Sequence, residues 1–213
     1  MTVDILQLPI PDWGLICPRC RYLLRGLPEH RCPECGLKFD LEQLVQPWTR
    51  LRDPRFTGAE RPLPDFGLLC PACRRPLAGA PDHACPHCGA PFDPQAWRPP
   101  GQWFILDREH CGTLPMLGVM ALLSTEQVPF LPVNERSLAE VVLGQHAIME
   151  GVKAPTEFCF EVRWLLRRAL LEMQAVRAAA NRAEWRCAHC RELNPANFEI
   201  CWKCEGVRSD SSK

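Results

Sequence analysis

The sequence predicts an α+β protein assembled from several small modules, and three observations support this fold class. Fourteen cysteines occur among the 213 residues, and twelve of them form six C-x2-C pairs. Residues 11–40 recur at 64–93, with eighteen of thirty positions identical. The segment 102–183 has few prolines after residue 132 and carries aliphatic residues at helical or alternating spacing. Small cysteine-rich modules therefore flank one α+β domain.

The repeat predicts two similar modules, a first ribbon at 11–43 and a second ribbon at 64–96. A duplicated unit is the simplest explanation, because the identities include all four cysteines of each copy. The segment 44–63 is rich in arginine and proline, and 97–101 contains two prolines followed by a glycine. Both segments are predicted to be linkers.

The cysteine pairs are the main candidates for chemistry, and disulfide bonds are the alternative to metal binding. Disulfides need an oxidising compartment, but residues 1–8 show no secretory signal. The longest apolar stretch, at 114–123, is too short to cross a bilayer. We therefore expect a cytoplasmic protein without membrane contact, whose cysteine pairs are thiolate ligands.

The pair spacing is typical of structural zinc. It is C-x2-C-x11-C-x2-C twice and C-x2-C-x10-C-x2-C once, so two ligand turns close each tetrahedral site. Iron–sulfur ligation is disfavoured by the even pairing and by the prolines inside the turns. The predicted ligands of three structural Zn²⁺ ions are Cys17, Cys20, Cys32 and Cys35, then Cys70, Cys73, Cys85 and Cys88, and finally Cys187, Cys190, Cys201 and Cys204.

These ligand sets predict structural rather than catalytic sites, because four cysteines leave no coordination position for substrate or water. Metal binding contributes about 10 kcal/mol to such small modules, so without zinc we expect the ribbons to unfold. Gly36 and Gly89 follow the second pair of each ribbon, where a positive φ turns backbone N–H groups towards sulfur. Arg21 and Arg74 occupy the corresponding position after the first pairs.

No residue pattern predicts an enzyme. His110 precedes Cys111, but no orienting group is evident near them in the sequence. Cys159 is expected in the core of a strand. Four further histidines lie close to cysteines, and with every site complete we expect them to pack or to be solvated: His30, His83, His87 and His189.

The spacing of apolar residues predicts the elements of the central domain. The helix at 110–127 is expected to place Leu114, Leu117, Met120, Ala121 and Leu122 on its apolar face. In order we predict a strand at 103–106, that helix, a proline-broken strand at 128–133, a loop or weak helix at 137–150, a strand at 158–162 and a helix at 164–182.

The last module, 184–208, resembles a Ran-binding-protein-type zinc finger. Trp185 and Asn194 stand in place beside its four cysteines. In RNA-binding members of that family an aromatic residue and an arginine pair follow the asparagine, whereas this chain has Pro195, Asn197 and Phe198. Ubiquitin-binding members carry Thr-Phe after the second cysteine, where this chain has Arg-Glu. The resemblance therefore implies a finger without specifying its ligand.

The central domain with this finger also resembles the putative prokaryotic signal-transducing proteins of domain of unknown function 2007. The shared residues are Leu122-Leu123, Val128-Pro129-Phe130, Asn194-Pro195 and Cys201-Trp202-Lys203-Cys204. This resemblance implies a ferredoxin-like α+β domain at 102–183 and a regulatory or binding role. The ribbons, with Tyr22-Leu23-Leu24-Arg25-Gly26-Leu27-Pro28, are similar to modules common in planctomycete bacteria.

Two functions agree with these features. The 25 basic and 25 acidic side chains balance, so the whole chain offers no field that gathers nucleic acid. We expect a non-catalytic adaptor or regulator that binds a protein partner. The alternative is a protein associated with single-stranded RNA or the ribosome, with a basic face on the last helix formed by Arg163, Arg167, Arg168, Arg177 and Arg182. The sequence does not predict an oligomeric state.

Overall fold

The chain folds as the α+β protein that its sequence predicts. The computed structural model describes residues 4–133, 151–182, 184–195 and 198–208. They belong to two compact units, Met1–Arg167 and Arg168–Lys213. Within the described residues, no helix combines the length and the apolar composition needed to cross a membrane.

Short helices and strands alternate with irregular cysteine-rich segments. The helices are α1 (Leu41–Leu44), α2 (Arg108–Cys111), α3 (Met116–Thr125) and α4 (Cys159–Arg182), with 3-10 helices at Pro94–Trp97 and Thr156–Phe158. The strands are β1 (Trp103–Leu106), β2 (Leu131–Val133), β3 (Gly151–Pro155), β4 (Trp185–Arg186) and β5 (Leu193–Asn194).

Aspartates start the short helices. Each ribbon ends at an aspartate whose side chain accepts a hydrogen bond from the backbone two residues later: Asp40 from Glu42 and Asp93 from Gln95. Asp107 caps α2 in the same way. The two repeats thus keep the same cap but continue differently, as an α-helix after the first and a 3-10 helix after the second.

The sheet of the first unit has the strand order β1-β3-β2 and is antiparallel throughout. The helices α2 and α3 connect β1 to β2, and β3 lies between these two strands, which is the split βαβ arrangement of ferredoxin-like domains. The fourth strand of the complete fold has no counterpart in the described part of the chain. A Cβ atom on Gly151 would lie 2.8 Å from the Leu106 carbonyl oxygen, so this close pairing requires glycine.

The structure corrects the predicted helix at 110–127. It is divided into α2 and α3, because Pro115 has no N–H and disfavours helical backbone at the preceding residue. The buried residues of α3 are Val119 and Leu123, whereas Leu117 is 69% exposed. Of the strand predicted at 128–133, only Leu131–Val133 forms. The prediction for 137–150 lies outside the described residues.

The predicted strand at 158–162 is also wrong, because this stretch ends a 3-10 helix and begins α4. None of these five residues has exposed surface. Because this part of the helix is buried on every side, its apolar residues do not recur at the spacing of three or four that marks a helix. Phe158 and Val162 pack in the core of the sheet, whereas Cys159 and Phe160 pack against the second ribbon. The start of the helix is therefore covered on several sides. The strand β3 (Gly151–Pro155) was not predicted from the sequence.

The ribbons differ in how they are packed. The first has its own apolar cluster, which includes Trp13, Leu24 and Leu41. The second shares its cluster with α4, where the rings of Phe66 and Phe160 are 5.3 Å apart. One copy of the repeat thus packs directly on α4, while the other has a cluster of its own.

The segment 44–63, predicted as a linker, makes specific contacts in the first unit. The Phe130 N–H donates to the Pro47 carbonyl oxygen (2.8 Å). The Arg52 guanidinium contacts the buried carboxylate of Glu161, and the Arg55 backbone N–H donates to the same carboxylate (2.8 Å). These bonds hold the segment on α4 and on the end of α3.

Candidate metal centres

The twelve cysteines of the six pairs come together as three sets of four. In each set the four sulfur atoms lie within 4.8 Å of one another. The sets are those expected from the spacing: Cys17, Cys20, Cys32 and Cys35; Cys70, Cys73, Cys85 and Cys88; and Cys187, Cys190, Cys201 and Cys204. The members of each set include two fully or almost fully buried cysteines.

Each cysteine pair lies in a tight turn whose backbone bonds repeat almost unchanged. In the first turn, the Arg21 N–H donates to the Cys17 carbonyl oxygen (2.9 Å) and the Cys17 N–H to the Tyr22 carbonyl oxygen (2.8 Å). The other five turns have the same two bonds. We call these turns the six knuckles. Because the bonds span at most five residues, the local sequence is enough to form them.

The residue after the second cysteine of each knuckle has a positive φ whether or not it is glycine. Gly36 and Gly89 adopt φ values of 71°, as expected. Arg21 and Arg74 adopt 66° and 60° at the equivalent positions, and Arg191 and Glu205 both adopt 58° in the finger. Glycine is therefore not required for this geometry, although side chains there carry some backbone strain.

The knuckles turn backbone N–H groups towards sulfur. The N–H of Cys20 lowers the pKa of Cys17 to about 6, and the N–H of Cys73 lowers the pKa of Cys70 to about 7. At Cys20 the N–H of Tyr22 acts in the same direction, but burial and the neighbouring thiols raise its pKa to about 12. Four thiolates at this distance repel one another, so a cation among them is needed to hold all four deprotonated.

The donor set fits a tetrahedral metal ion. Sulfur–sulfur distances between the paired knuckles are 3.5 to 3.7 Å. Zn–S bonds of about 2.3 Å at tetrahedral angles place sulfurs about 3.8 Å apart, whereas a disulfide needs about 2.05 Å. All fourteen cysteines are free. Each cluster can hold one metal ion, and its four sulfur ligands are consistent with zinc.

Histidines of the repeat pack beside the clusters. The His30 ring lies 6.1 Å from the Phe39 ring, and the His83 ring lies 6.3 Å from the Phe92 ring. His83 also contacts the Arg61 guanidinium at 2.9 Å. Within the described residues, the metal-ligand clusters consist of cysteines alone. The repeated His–Phe contact is thus a packing feature that both ribbons share.

The two unpaired cysteines are fully buried. Burial raises the pKa of both the Cys111 and the Cys159 thiol. The sequence suggested no orienting group for His110, and here the structure adds one: the Asp107 carboxylate lies 2.8 Å from its Nδ1 atom. An aspartate three residues before a histidine at a helix start was the available signal. The hydrogen bonds from His110 lower the pKa of Asp107.

The arginines proposed as a basic face are partly engaged in ion pairs. Arg167 lies 3.1 Å from the Asp65 carboxylate in the first unit. Arg168 lies 3.6 Å from the Glu172 carboxylate in the second. The side chain of Arg182 lies outside the described residues. The basic charge available on this helix is therefore smaller than the sequence suggested.

Exposed apolar side chains lie next to several knuckles. Ile16 pairs with Leu23 at the first knuckle, and both are exposed. Ile200 pairs with Val207 in the finger, where they are 52% and 70% exposed. Trp202 is also exposed there, while its backbone N–H donates to the Asn194 side-chain oxygen (3.0 Å). Small apolar surfaces thus lie beside the cysteine clusters.

Comparison of the chain with protein families, curated proteins and solved structures finds no match. The resemblances to the signal-transducing family, the Ran-binding-type finger and the planctomycete ribbons therefore rest on the quoted motifs alone. The three four-cysteine clusters are the evidence for zinc-ribbon-like and finger-like modules.

Proposed function

We propose that this protein is a non-catalytic adaptor or regulator, in which three structural Zn²⁺ ions hold surfaces that bind a protein partner. The Zn²⁺ would be bound by the twelve cysteines of the knuckles. When bound, it would cross-link chain segments that have little apolar core of their own. A reducing compartment such as the cytoplasm suits this role, because the cluster thiols must stay unoxidised.

The observation that carries the proposal is the exposure of paired apolar side chains on the knuckles. In the finger, Ile200, Val207 and Trp202 form an exposed apolar set on a backbone that the cysteines fix. A rigid surface loses little conformational entropy when it binds. Exposed tryptophan is also enriched where binding energy is concentrated. Glu199 and Glu205 line the same shallow pocket as Trp202, so a partner with apolar and basic groups would fit it.

The absence of a catalytic role is part of the proposal. Each cluster fills its four ligand positions with cysteine, so none is left for substrate. The remaining thiols, on Cys111 and Cys159, are buried and have raised pKa values, which disfavours the nucleophilic thiolate. His110 and Asp107 form an exposed pair, but neighbouring positions on a helix do not face each other, which separates His110 from Cys111.

The experiment compares captured proteins between two variants that place the same charge at different positions. Ile200→Lys adds a lysine to the finger surface, where Ile200 is 52% exposed, and Val176→Lys adds one to α4, where Val176 is 70% exposed. Tagged proteins with equal zinc content are used to recover partners from native lysate, and quantitative mass spectrometry compares them. We expect specific partners to be lost with Ile200→Lys and retained with Val176→Lys. Recovery of the same proteins by both variants would reject the finger surface as the binding site.

An RNA-associated function is the alternative, and the arginines of α4 give it less support because Arg167 and Arg168 are in ion pairs. The two functions differ in their salt dependence, since phosphate contacts release counterions. Binding to single-stranded RNA at about 50 mM salt that weakens steeply as salt rises would favour the alternative. No binding, or binding that is independent of salt, would exclude it.

A further inference from the structure

The two outer edges of the three-stranded sheet differ in their free backbone groups. At the β2 edge, Pro132 has no N–H to offer. The Phe130 N–H, two residues earlier and on the same side, already donates to the Pro47 carbonyl oxygen (2.8 Å). Prolines and covering segments are the means by which proteins protect sheet edges from further pairing. The β2 edge is protected in both ways.

In the part of the chain that the structure describes, the β1 edge has neither a proline nor a covering segment. The Thr156 N–H donates to the Gln102 carbonyl oxygen (2.9 Å), so Gln102 is bonded towards β3. Antiparallel pairing alternates, and Phe104 and Leu106 therefore also bond towards β3, opposite Ala154 and Val152. The N–H and C=O groups of Trp103 and Ile105 consequently point away from the sheet. Within the described residues, neither residue has a hydrogen bond outside the strand pairing.

The side chains of the same two residues are also exposed. Trp103 is 40% exposed and Ile105 is 49% exposed, and their alternation places both on one face of the sheet. The strand Trp103–Leu106 contains no proline and no charged residue. Such an edge favours the addition of another strand.

We propose that β1 pairs with β1 of a second copy of this chain, antiparallel about a two-fold axis at Phe104. In this register the outward N–H and C=O groups of Trp103 meet those of Ile105 in the other copy, on both sides of the axis. Each exposed indole then packs beside an exposed isoleucine, which is a favourable cross-strand pair. Two three-stranded sheets become one six-stranded sheet.

Self-complementarity selects a second copy over an unrelated strand. A two-fold interface requires one patch to fit itself, and β1 does so because its outward residues are two positions apart and uncharged. The pairing also fills the position beside β1 that a fourth strand occupies in a complete ferredoxin-like sheet. The same addition at the β2 edge is prevented by Pro132.

The test measures the mass of the zinc-loaded protein by light scattering after size exclusion, from about 1 to about 100 μM. Ile105→Pro removes an outward N–H but no bond to β3, and Ile105→Val keeps the N–H and serves as the matched control. We expect a dimer for the wild type and for Ile105→Val, and association weakened at least tenfold, roughly, for Ile105→Pro. A wild-type monomer throughout this range, or a proline variant that dimerises as tightly, would overturn the proposal.

Hydrogen exchange of the wild-type protein gives a second test that does not depend on folding of the proline variant. The amides of Trp103 and Ile105 should exchange more slowly as the protein concentration rises, since pairing buries them. The amide of Phe104, which is bonded within the sheet, serves as the internal reference. Exchange at Trp103 and Ile105 that does not change with concentration would contradict β1 pairing even if a dimer formed through another surface.

Discussion

Nη1 of Arg52 lies 2.9 Å from Oε2 of Glu161, although 109 residues separate them in the chain. The backbone N–H of Arg55 donates to the same oxygen at 2.8 Å. Glu161 has no exposed surface, and Arg55 also pairs with Glu126 at the end of α3 (2.8 Å). One buried carboxylate thus joins the segment between the ribbons to the first turn of α4.

Replacing this carboxylate should destabilise the protein strongly. Glu161→Gln keeps the shape of the side chain but leaves two arginines without their buried counter-charge. We expect the free energy of unfolding to fall by about 3 kcal/mol, since removing one partner of a buried pair leaves the other uncompensated. Urea unfolding of the zinc-loaded protein, followed by tryptophan fluorescence, measures the change.

Glu157→Gln provides the matched control for this prediction. Glu157 pairs with Arg50 at 3.4 Å, but its side chain is 37% exposed. Exposed pairs contribute little, so we expect a change within about 0.5 kcal/mol. If both substitutions lowered the free energy of unfolding by the same amount, the burial of Glu161 would not strengthen the contribution of its ion pairs.

Two glycines allow the cost of backbone strain to be measured apart from the cost of steric overlap: Gly58 in the segment between the ribbons and Gly14 in the first ribbon. Gly58 has φ of 90°, and a Cβ atom there would lie 2.6 Å from the Phe160 ring; Gly14 has φ of 67° and open space around it. Both alanine variants should carry about 1 kcal/mol of left-handed strain. Gly58→Ala should lose more, because the Phe160 ring must also move. Thermal unfolding compares them, and equal melting temperatures would argue against tight packing of Phe160 on this segment.

The three clusters should bind metal independently. We expect three zinc ions per chain by elemental mass spectrometry, one for each cluster. Cys190→Ser removes one ligand from the finger and should reduce the content to two, while Cys111→Ala, outside the clusters, should leave it unchanged. Full loss of zinc in the Cys190→Ser variant would show that the sites are not independent. Fewer than three ions in the wild type would contradict the assignment.

Removal of zinc should expose the two buried cysteines in a fixed order. Cys159 belongs to the apolar cluster shared with the second ribbon, whereas Cys111 lies in the core of the sheet. Burial raises the pKa of both thiols, so iodoacetamide at pH 7 should modify neither in the zinc-loaded protein. After chelation, peptide mass spectrometry should find Cys159 modified before Cys111. Simultaneous modification would indicate that the ribbon and the sheet unfold together.

The cysteine clusters could be predicted from the sequence alone. Each knuckle turn depends on residues no more than five positions apart, so short stretches such as Cys17–Tyr22 contain their own hydrogen bonds. The two knuckles of one set also follow each other closely in the chain, with Cys17 and Cys35 only 18 positions apart. The duplication was visible because eighteen of thirty aligned positions are identical. Local sequence also predicted β1, a run of four apolar residues at Trp103–Leu106.

The packing of these parts against one another could not be predicted in the same way. Phe158, Phe160 and Val162 alternate as in a strand, but they lie at a helix start because the ribbon and the sheet bury it on different sides. The contact of Arg52 with Glu161 could not be predicted from the sequence, because its partners are far apart in the chain and many arginines could serve. The periodicity of apolar residues and the spacing of cysteines indicate local geometry. Burial on several sides depends on segments that meet only in the folded chain.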